Sequence, residues 1–362
     1  MSAKLPPFAV LGAGRIGQAI SHDLLQSGAE GVLVVDVDRA RSEALVARLR
    51  DKRAEALSAD LGRPETLRPI LARVGAVISA VPYRLNLGLA KETVAAGASW
   101  TDLGGNTEIV EATLALGPKA KRHRACVIPD AGLQPGLGNI LAGEIHRRLG
   151  GADMLRVLVG GLPQKPTGKL KYMFVFSVEG LLNEYEGQVR TLLGGKLKIR
   201  RPLSEVERFL WEGFPELECF HTSGSASTLP GTFARRVGRL EVKTVRYAGH
   251  AAELRRIFLA VPKEKRAAFL DEIVPKTGRD LVLMRVEGTR KGARLAFEME
   301  DRYDPKTGLT SMMRTTGFPA SILAQLAAKG ELARGAVIQE RDVPARPVIE
   351  ALMRRGIRVR EA

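Results

Sequence analysis

Between Phe8 and Ile20 the chain reads Phe-Ala-Val-Leu-Gly-Ala-Gly-Arg-Ile-Gly-Gln-Ala-Ile, an order that few folds accept. Phe8 to Leu11 is an apolar run suited to a buried parallel strand, Gly12, Gly14 and Gly17 follow in G-x-G-x-x-G spacing, and an amphipathic pattern runs from Gln18 to Leu25. In the order strand, tight turn, helix, such a loop cradles phosphate. Gly12 allows the turn, Gly14 lets a pyrophosphate approach backbone N–H groups, and Gly17 permits close strand–helix packing, so the helix N-terminus points at the anion. Ala13, Arg15 and Ile16 complete the loop. A second strand, Gly31 to Asp36, ends in a carboxylate nineteen residues after Gly17, about where the ribose hydroxyls are read. An Asp there accepts from both hydroxyls and repels a 2′-phosphate. NAD is therefore expected ahead of NADP, although Arg39 and Arg41 stand close enough in sequence to hold a phosphate.

The strand–helix alternation continues through Ala56 to Asp60, Val74 to Val81, Ser99 to Gly105 and Ala125 to Asp130, with helical stretches over 41–52, 63–73, 85–96 and 107–122. Six such units predict an α/β fold with a doubly wound parallel sheet. Ligands of these sheets bind beyond the carboxyl ends of the strands. That rule places Asp60 and Leu61 near an adenine, and Ser79, Ala80, Val81, Pro82 and Tyr83 beside the nicotinamide half. Tyr83 carries the acid/base group of that turn, or else packs under the following helix. Asp102 and Asp130 end strands on the same edge, where a carboxylate can bind an ammonium or take its proton; for Asp102 the other reading is a cap beside Gly104-Gly105.

After the turn Ala131 to Gly138 the pattern changes to strands over 154–160, 170–177, 196–201, 217–220, 242–247, 280–287 and 294–303, with helices at 177–185 and 251–259. The alternation Leu295-Ala-Phe-Glu-Met-Glu is that of a half-exposed antiparallel strand. This predicts a second, α+β domain with a mixed or antiparallel sheet over 132–311; residues 1–131 form the first domain, completed by the helical tail 312–362. Arg246 and His250 close a strand and open a helix. Arg246 can grip a substrate carboxylate bidentately; a surface Arg with a capping His is the plainer reading.

Fifty-six basic against forty acidic residues give +16, which raises nucleic acid as a partner. The charge is scattered in short clusters, however, and aromatics are 5%, so no basic run is interleaved with stacking residues. No nucleic-acid role is expected; the rival from another class is a cofactor-binding regulator or a nucleic-acid binder. Cys126 and Cys219 lie far apart with no ligand-spaced partner, so no metal or disulfide framework is expected. No run approaches the length needed to cross a bilayer, and the start carries no apolar leader; a cytoplasmic protein with no membrane role is expected.

With these residues in view, the chain resembles the saccharopine dehydrogenase family, most of all its lysine 6-dehydrogenase branch. The matching segments are Val10 to Gly17 with Asp36, Ala80-Val-Pro82, Asp130 to Asn139, Val159 to Pro163, Glu184-Tyr185 ahead of Val189, Pro202 to Glu205, Val245 to His250 and Thr316 to Phe318. Tyr83 after Pro82 is closer to the saccharopine branch, and Ala248 stands where relatives usually have proline. The resemblance implies a Rossmann domain, a second domain for substrate binding and homodimerisation, and NAD(P)-dependent oxidation of an amino acid at an amine-bearing carbon. Its lysine branch implies oxidation of L-lysine at the ε-carbon to 2-aminoadipate 6-semialdehyde. The alternatives are a glutamate-forming saccharopine dehydrogenase and a carboxylated-polyamine dehydrogenase.

Overall fold

The computed structural model describes residues 5–175, 178–276 and 278–362, Glu179 by its backbone alone. Two compact units divide the chain, one ending at Ile140 and including Met313–Leu352, the other comprising Leu141–Met312 and Met353–Ala362.

The first unit is built on β1 (Phe8–Leu11), β2 (Val32–Asp36), β3 (Ala54–Ser58), β4 (Ala76–Ser79), β5 (Ser99–Asp102) and β6 (Cys126–Ile128). With the two-residue strand Gly335–Ala336 they make a seven-stranded sheet in the order Gly335–Ala336, β6, β5, β4, β1, β2, β3. Every pairing is parallel. Strand order runs one way from β1 to β3 and the other way from β4 to β6, the doubly wound arrangement whose ligand crevice opens at the reversal. Except for β3, these strands are buried along their length, as parallel strands covered on both faces must be.

Two expected helices are shorter than the periodicity predicts. Pro64 and Pro69 cut the stretch 63–73 into a 3-10 turn, Pro64–Leu67, and a single helical turn, Arg68–Leu71. The stretch 107–122 breaks into Thr107–Leu114 and Gly117–Arg122. A side chain at Gly117 would meet the backbone nitrogen of Ala336 at 2.9 Å, so the edge strand lies hard against this break.

The second unit carries β7 (Ala152–Pro163), β8 (Val189–Leu193), β9 (Lys196–Arg200), β10 (Glu207–Phe209), β11 (Leu217–His221), β12 (Val237–Tyr247), β13 (Asp280–Arg290) and β14 (Ala293–Arg302). The sheet is mixed: β12 runs parallel to β7, while β13 pairs with β7 and with β14 in antiparallel sense. The terminal strand Val359–Glu361 pairs with β14, so the last residues join this sheet rather than completing the first domain. The strand expected over 170–177 does not form in its described part. Lys171 has φ +48°, which reverses the backbone where a strand must stay extended, and Leu170 and Tyr172 to Val175 are packed as an irregular buried segment; Phe176 and Ser177 lie outside the described residues. Nor is β14 half-exposed, since Glu298 and Asp301 are buried along with Phe297 and Met299. Among the described residues no helix is long and apolar enough to cross a membrane.

Candidate functional site

The glycine loop is assembled by close backbone approaches. Gly12 has φ +99°, and a Cβ there would stand 2.8 Å from the Ala80 carbonyl oxygen; at Gly17 it would stand 1.9 Å from the Gly12 carbonyl. Both positions therefore require glycine. Helix α1 (Arg15–Gln26) follows with Gly14 as its N-cap and no side chain capping it, which leaves its first N–H groups for an anion. Exposed Arg15 and half-buried Ile16 begin this helix. From the C-terminal segment, Gly317 packs on α1, where a Cβ would meet that of Ala19 at 2.9 Å. The Thr316 to Phe318 segment thus owes its small central residue to helix packing.

Asp36 ends β2 at 6% exposure. Its carboxylate accepts the Ala13 N–H at 2.8 Å and the Asp38 N–H at 3.0 Å, fastening the glycine loop to the second strand. Each oxygen keeps a lone pair for a hydroxyl donor. Asp60 uses its carboxylate to accept the Gly62 N–H at 3.0 Å and cap its own turn. Leu61 is a core residue packed with Leu67 and Leu89, so the adenine-side expectation reduces to its backbone. Ser79 donates to Asn86 Oδ1 at 2.8 Å, which turns its side chain into the protein. Ala80 and Val81 border Gly12, and exposed Pro82 leads into the turn of Tyr83. The loop, the β2 carboxylate and the β4 turn thus meet at one sheet edge, and the open Gly14 together with the uncapped α1 fits a dinucleotide pyrophosphate.

On the same edge Asp102 is turned inward. Its Oδ2 accepts Trp100 Nε1–H at 2.7 Å, and its Oδ1 accepts the Gly104 N–H at 2.7 Å and the Asp130 N–H at 3.4 Å. Burial raises its pKa, with those donors opposing. Both carboxylate oxygens of Asp102 are thus engaged by donors of the β5–β6 edge, where a base was expected. Asp130 has φ +61° and is buried, with Oδ1 at the place a Gly104 Cβ would need. Tyr83 lies with its ring against Gly105, half-buried.

The second unit holds a buried polar cluster around Arg246. This guanidinium is 2% exposed; Nη2 donates to Glu184 Oε2 at 3.0 Å, Nη1 donates to the Val245 carbonyl, and the Tyr172 ring lies 4.9 Å below Cζ. Its Nε has no hydrogen-bond partner among the described residues. Burial opposes its charge, yet Tyr185, Glu184 and Tyr172 hold its pKa above the ordinary range. Burial raises the Glu184 carboxyl, with Arg246 opposing. His250 does not present a free nitrogen. Nδ1 donates to the Leu170 carbonyl at 2.8 Å, Nε2 accepts from the Tyr185 hydroxyl at 3.0 Å, and the ring stacks on Phe220. Burial and nearby Arg246 lower its pKa to about 3. The expected substrate contact at His250 is therefore replaced by a neutral strut under Tyr185. Glu184, Tyr172 and Tyr185 were not expected here. The Glu184-Tyr185 pair was the available signal, but its partner lies 62 residues away.

A third cluster, Glu205, His221 and Glu241, brings ligand atoms within 4.8 Å of one another. Lys243 and Arg156 already hold its surroundings: Lys243 Nζ donates to the Glu205 carbonyl at 2.8 Å, and Arg156 Nε stands 3.4 Å from Glu241 Oε2. The cations of the sheet itself compensate these carboxylates.

Strands β1 to β6 lie within a match to the saccharopine dehydrogenase NADP binding domain over residues 8–128, and residues 132–357 match the saccharopine dehydrogenase C-terminal domain. Among solved structures the chain is similar to apo saccharopine dehydrogenase (L-Glu forming) from Saccharomyces cerevisiae, at 18% identity and TM-score 0.80 over 99% of each chain. It also matches GenD2 from gentamicin A biosynthesis, solved in complex with NAD, at 12% identity and TM-score 0.45 over 100% of this chain and 97% of that one. The likeness to the yeast structure shows the fold. The chain belongs to the saccharopine dehydrogenase family, an oxidoreductase whose first unit is a nicotinamide-dinucleotide-binding Rossmann domain.

Proposed function

We propose that this oxidoreductase oxidises the amine-bearing carbon of an amino acid, with L-lysine at its ε-carbon as the leading substrate. The observation that carries the reading is Arg246, a buried guanidinium whose Nε has no hydrogen-bond partner among the described residues. A buried cation with an unmatched donor favours a carboxylate ligand, and Nε with Nη2 presents the fork such a group takes bidentately. Glu184 keeps the guanidinium oriented by holding the other Nη2 hydrogen. In the first unit Asp130, beside Asp102 at the carboxyl edge of the parallel sheet, is the carboxylate that would receive the ammonium. Asp36 takes the ribose hydroxyls, which favours NAD, and the Ala80 to Tyr83 turn flanks the nicotinamide. When bound, that ring supplies the acceptor for the hydride leaving the substrate carbon.

A second reading, a glutamate-forming saccharopine dehydrogenase, is supported by the full-length likeness to the yeast protein of that name and by Tyr83 after Pro82. The test is a panel of L-lysine, saccharopine and carboxylated polyamines with NAD⁺ and NADP⁺, read as nicotinamide reduction and product mass. Arg246→Ala is expected to raise KM about 30-fold or more for the accepted substrate, since it removes a buried charge contact made in ground and transition states alike. Asp130→Asn is expected to lower kcat about 100-fold if it takes the proton. Unchanged kinetics in the folded Arg246→Ala variant would remove the carboxylate assignment.

A further inference from the structure

Helix α2 (Arg39–Leu49) opens with Arg39 and Arg41, two cations in a first turn that contains no acidic residue. Helix dipoles disfavour cations there. Arg39 is compensated by Glu43 at 2.7 Å, and Arg48 of the same helix donates to Gln18 at 3.0 Å. The Arg41 guanidinium, exposed, has no ion pair or hydrogen bond among the described residues. It lies over the glycine loop: around the place where a Gly14 Cβ would stand, the one non-neighbouring atom within 4 Å is Arg41 Nη2, at 3.9 Å. Gly12 and Gly17 meet backbone oxygens in the same test, so Gly14 is the loop glycine with open space before it, and Arg41 borders that space.

We infer that Arg41 closes on the pyrophosphate of the bound dinucleotide, an inference that rests on the dinucleotide reading of the first unit. One wall of the gap is then the loop and the uncapped N-terminus of α1, the other the Arg41 fork. Both walls are positive and border the open side of Gly14, an arrangement that a doubly charged pyrophosphate satisfies from both sides. Recognition of a 2′-phosphate fits less well. Asp36 holds the end of β2, where the 2′ position is read, and its charge repels a phosphate, whereas Arg41 stands at Gly14.

The test is calorimetric titration of the full chain with NADH, NADPH and ADP-ribose, which carries the pyrophosphate but no 2′-phosphate. Arg41→Ala is expected to raise Kd about 10-fold for ADP-ribose and for each dinucleotide the wild type binds. Arg41→Lys is expected to recover part of the loss because it keeps the charge without the fork. Arg39→Ala, two residues away in the same turn, is expected to stay within about twofold, as its charge is exposed and already paired. An unchanged ADP-ribose affinity in a folded Arg41→Ala variant overturns the inference, as does a loss confined to NADPH or an equal loss in Arg39→Ala. A wild type that binds none of the three ligands instead removes the dinucleotide reading itself.

Discussion

In the first sheet the carboxylates of β1, β2, β4, β5 and β6 are Asp36 and Asp102, each the last residue of its strand. In the second sheet Arg156, Glu241, Lys243, Glu287 and Glu298 stand mid-strand. A charge at a strand end faces the ligand edge or a turn; a charge in mid-strand must find its partner across the ladder. The register shows those partners. Arg156 lies opposite Glu241 on one side and Glu287 on the other, at 3.4 and 3.5 Å, and Glu298 lies opposite both Arg285 and Arg360, at 2.6 and 2.8 Å. Lys243, 0% exposed, reaches Glu207 at 2.5 Å. One sheet is held by apolar burial with its charges at the rim, while the other carries a ladder of ion pairs through its middle. Part of the positive charge of the chain is thus paired inside a sheet.

Breaking the ladder should have the largest effect. Lys243→Ala empties a fully buried site and takes one of two cations from the half-exposed Glu207, and is expected to cost about 3 kcal/mol or more in urea unfolding. Acid should act in the same direction. Burial raises the carboxyls of Glu207 and Glu298, but Lys243 and Arg156, and Arg285 and Arg360, outweigh it and hold both below the ordinary 4.5. Their contribution is complete above that value and is lost as pH falls through the lower folded values. Asp102, raised by burial, has the opposite sign. Hydrogen exchange followed downward from pH 5 should therefore show β7, β12, β13 and β14 loosening before β1, β4 and β5; the reverse order would contradict the contrast between the sheets.

Next in size is the glycine loop. Gly17→Ala drives a methyl into the Gly12 carbonyl and is expected to cost about 3 kcal/mol. Gly14→Ala, facing open space, should cost less than about 1 kcal/mol yet weaken dinucleotide binding. Equal destabilisation of the two variants would mean that Gly14 is not the open side of the loop.

The titration effect of His250 is absent at neutral pH and appears only in acid. Its pKa is lowered from 6.5 to about 3, so the folded chain keeps it neutral while the unfolded chain protonates it. The stability it contributes is present above 6.5 and falls as pH drops toward 3, by up to about 1.4 kcal/mol per pH unit. His250→Gln should remove that slope from the stability profile between pH 4 and 6. An unchanged slope would show that the His250 ring is not the group taking up the proton.

The same contrast explains what was legible in the sequence. The first sheet could be read because parallel strands are contiguous apolar runs and their ends are marked by Gly12, Asp36, Pro82, Asp102 and Asp130. The prolines at 64 and 69 also carry the signal of the broken helix. The second sheet was harder. The hairpin of β8 and β9 turns on Gly194 and Gly195, both at positive φ, a two-glycine signal carried by the sequence itself. Arg246 with Glu184, Lys243 with Glu207 and His250 with Tyr185 are pairings across 36 to 65 residues, and no local pattern encodes which residue meets which. For the same reason Asp102 and His250 could be placed at the right turns while their side chains point into the protein.

The most direct test of the proposed chemistry is the fate of the hydrogen on the amine-bearing carbon. L-lysine deuterated at its ε-carbon is incubated with the full chain and NAD⁺, or NADP⁺ if that is the cofactor bound, and the reduced nucleotide and amino-acid product are examined by mass spectrometry. The expected result is deuterium in the reduced nicotinamide, ammonia released, and a product carrying one ε-deuterium as the semialdehyde or its cyclic form. A chain that binds the dinucleotide but transfers no label from lysine, while transferring it from saccharopine deuterated at the same carbon, would contradict the lysine assignment. Transfer from neither would contradict oxidation at that carbon.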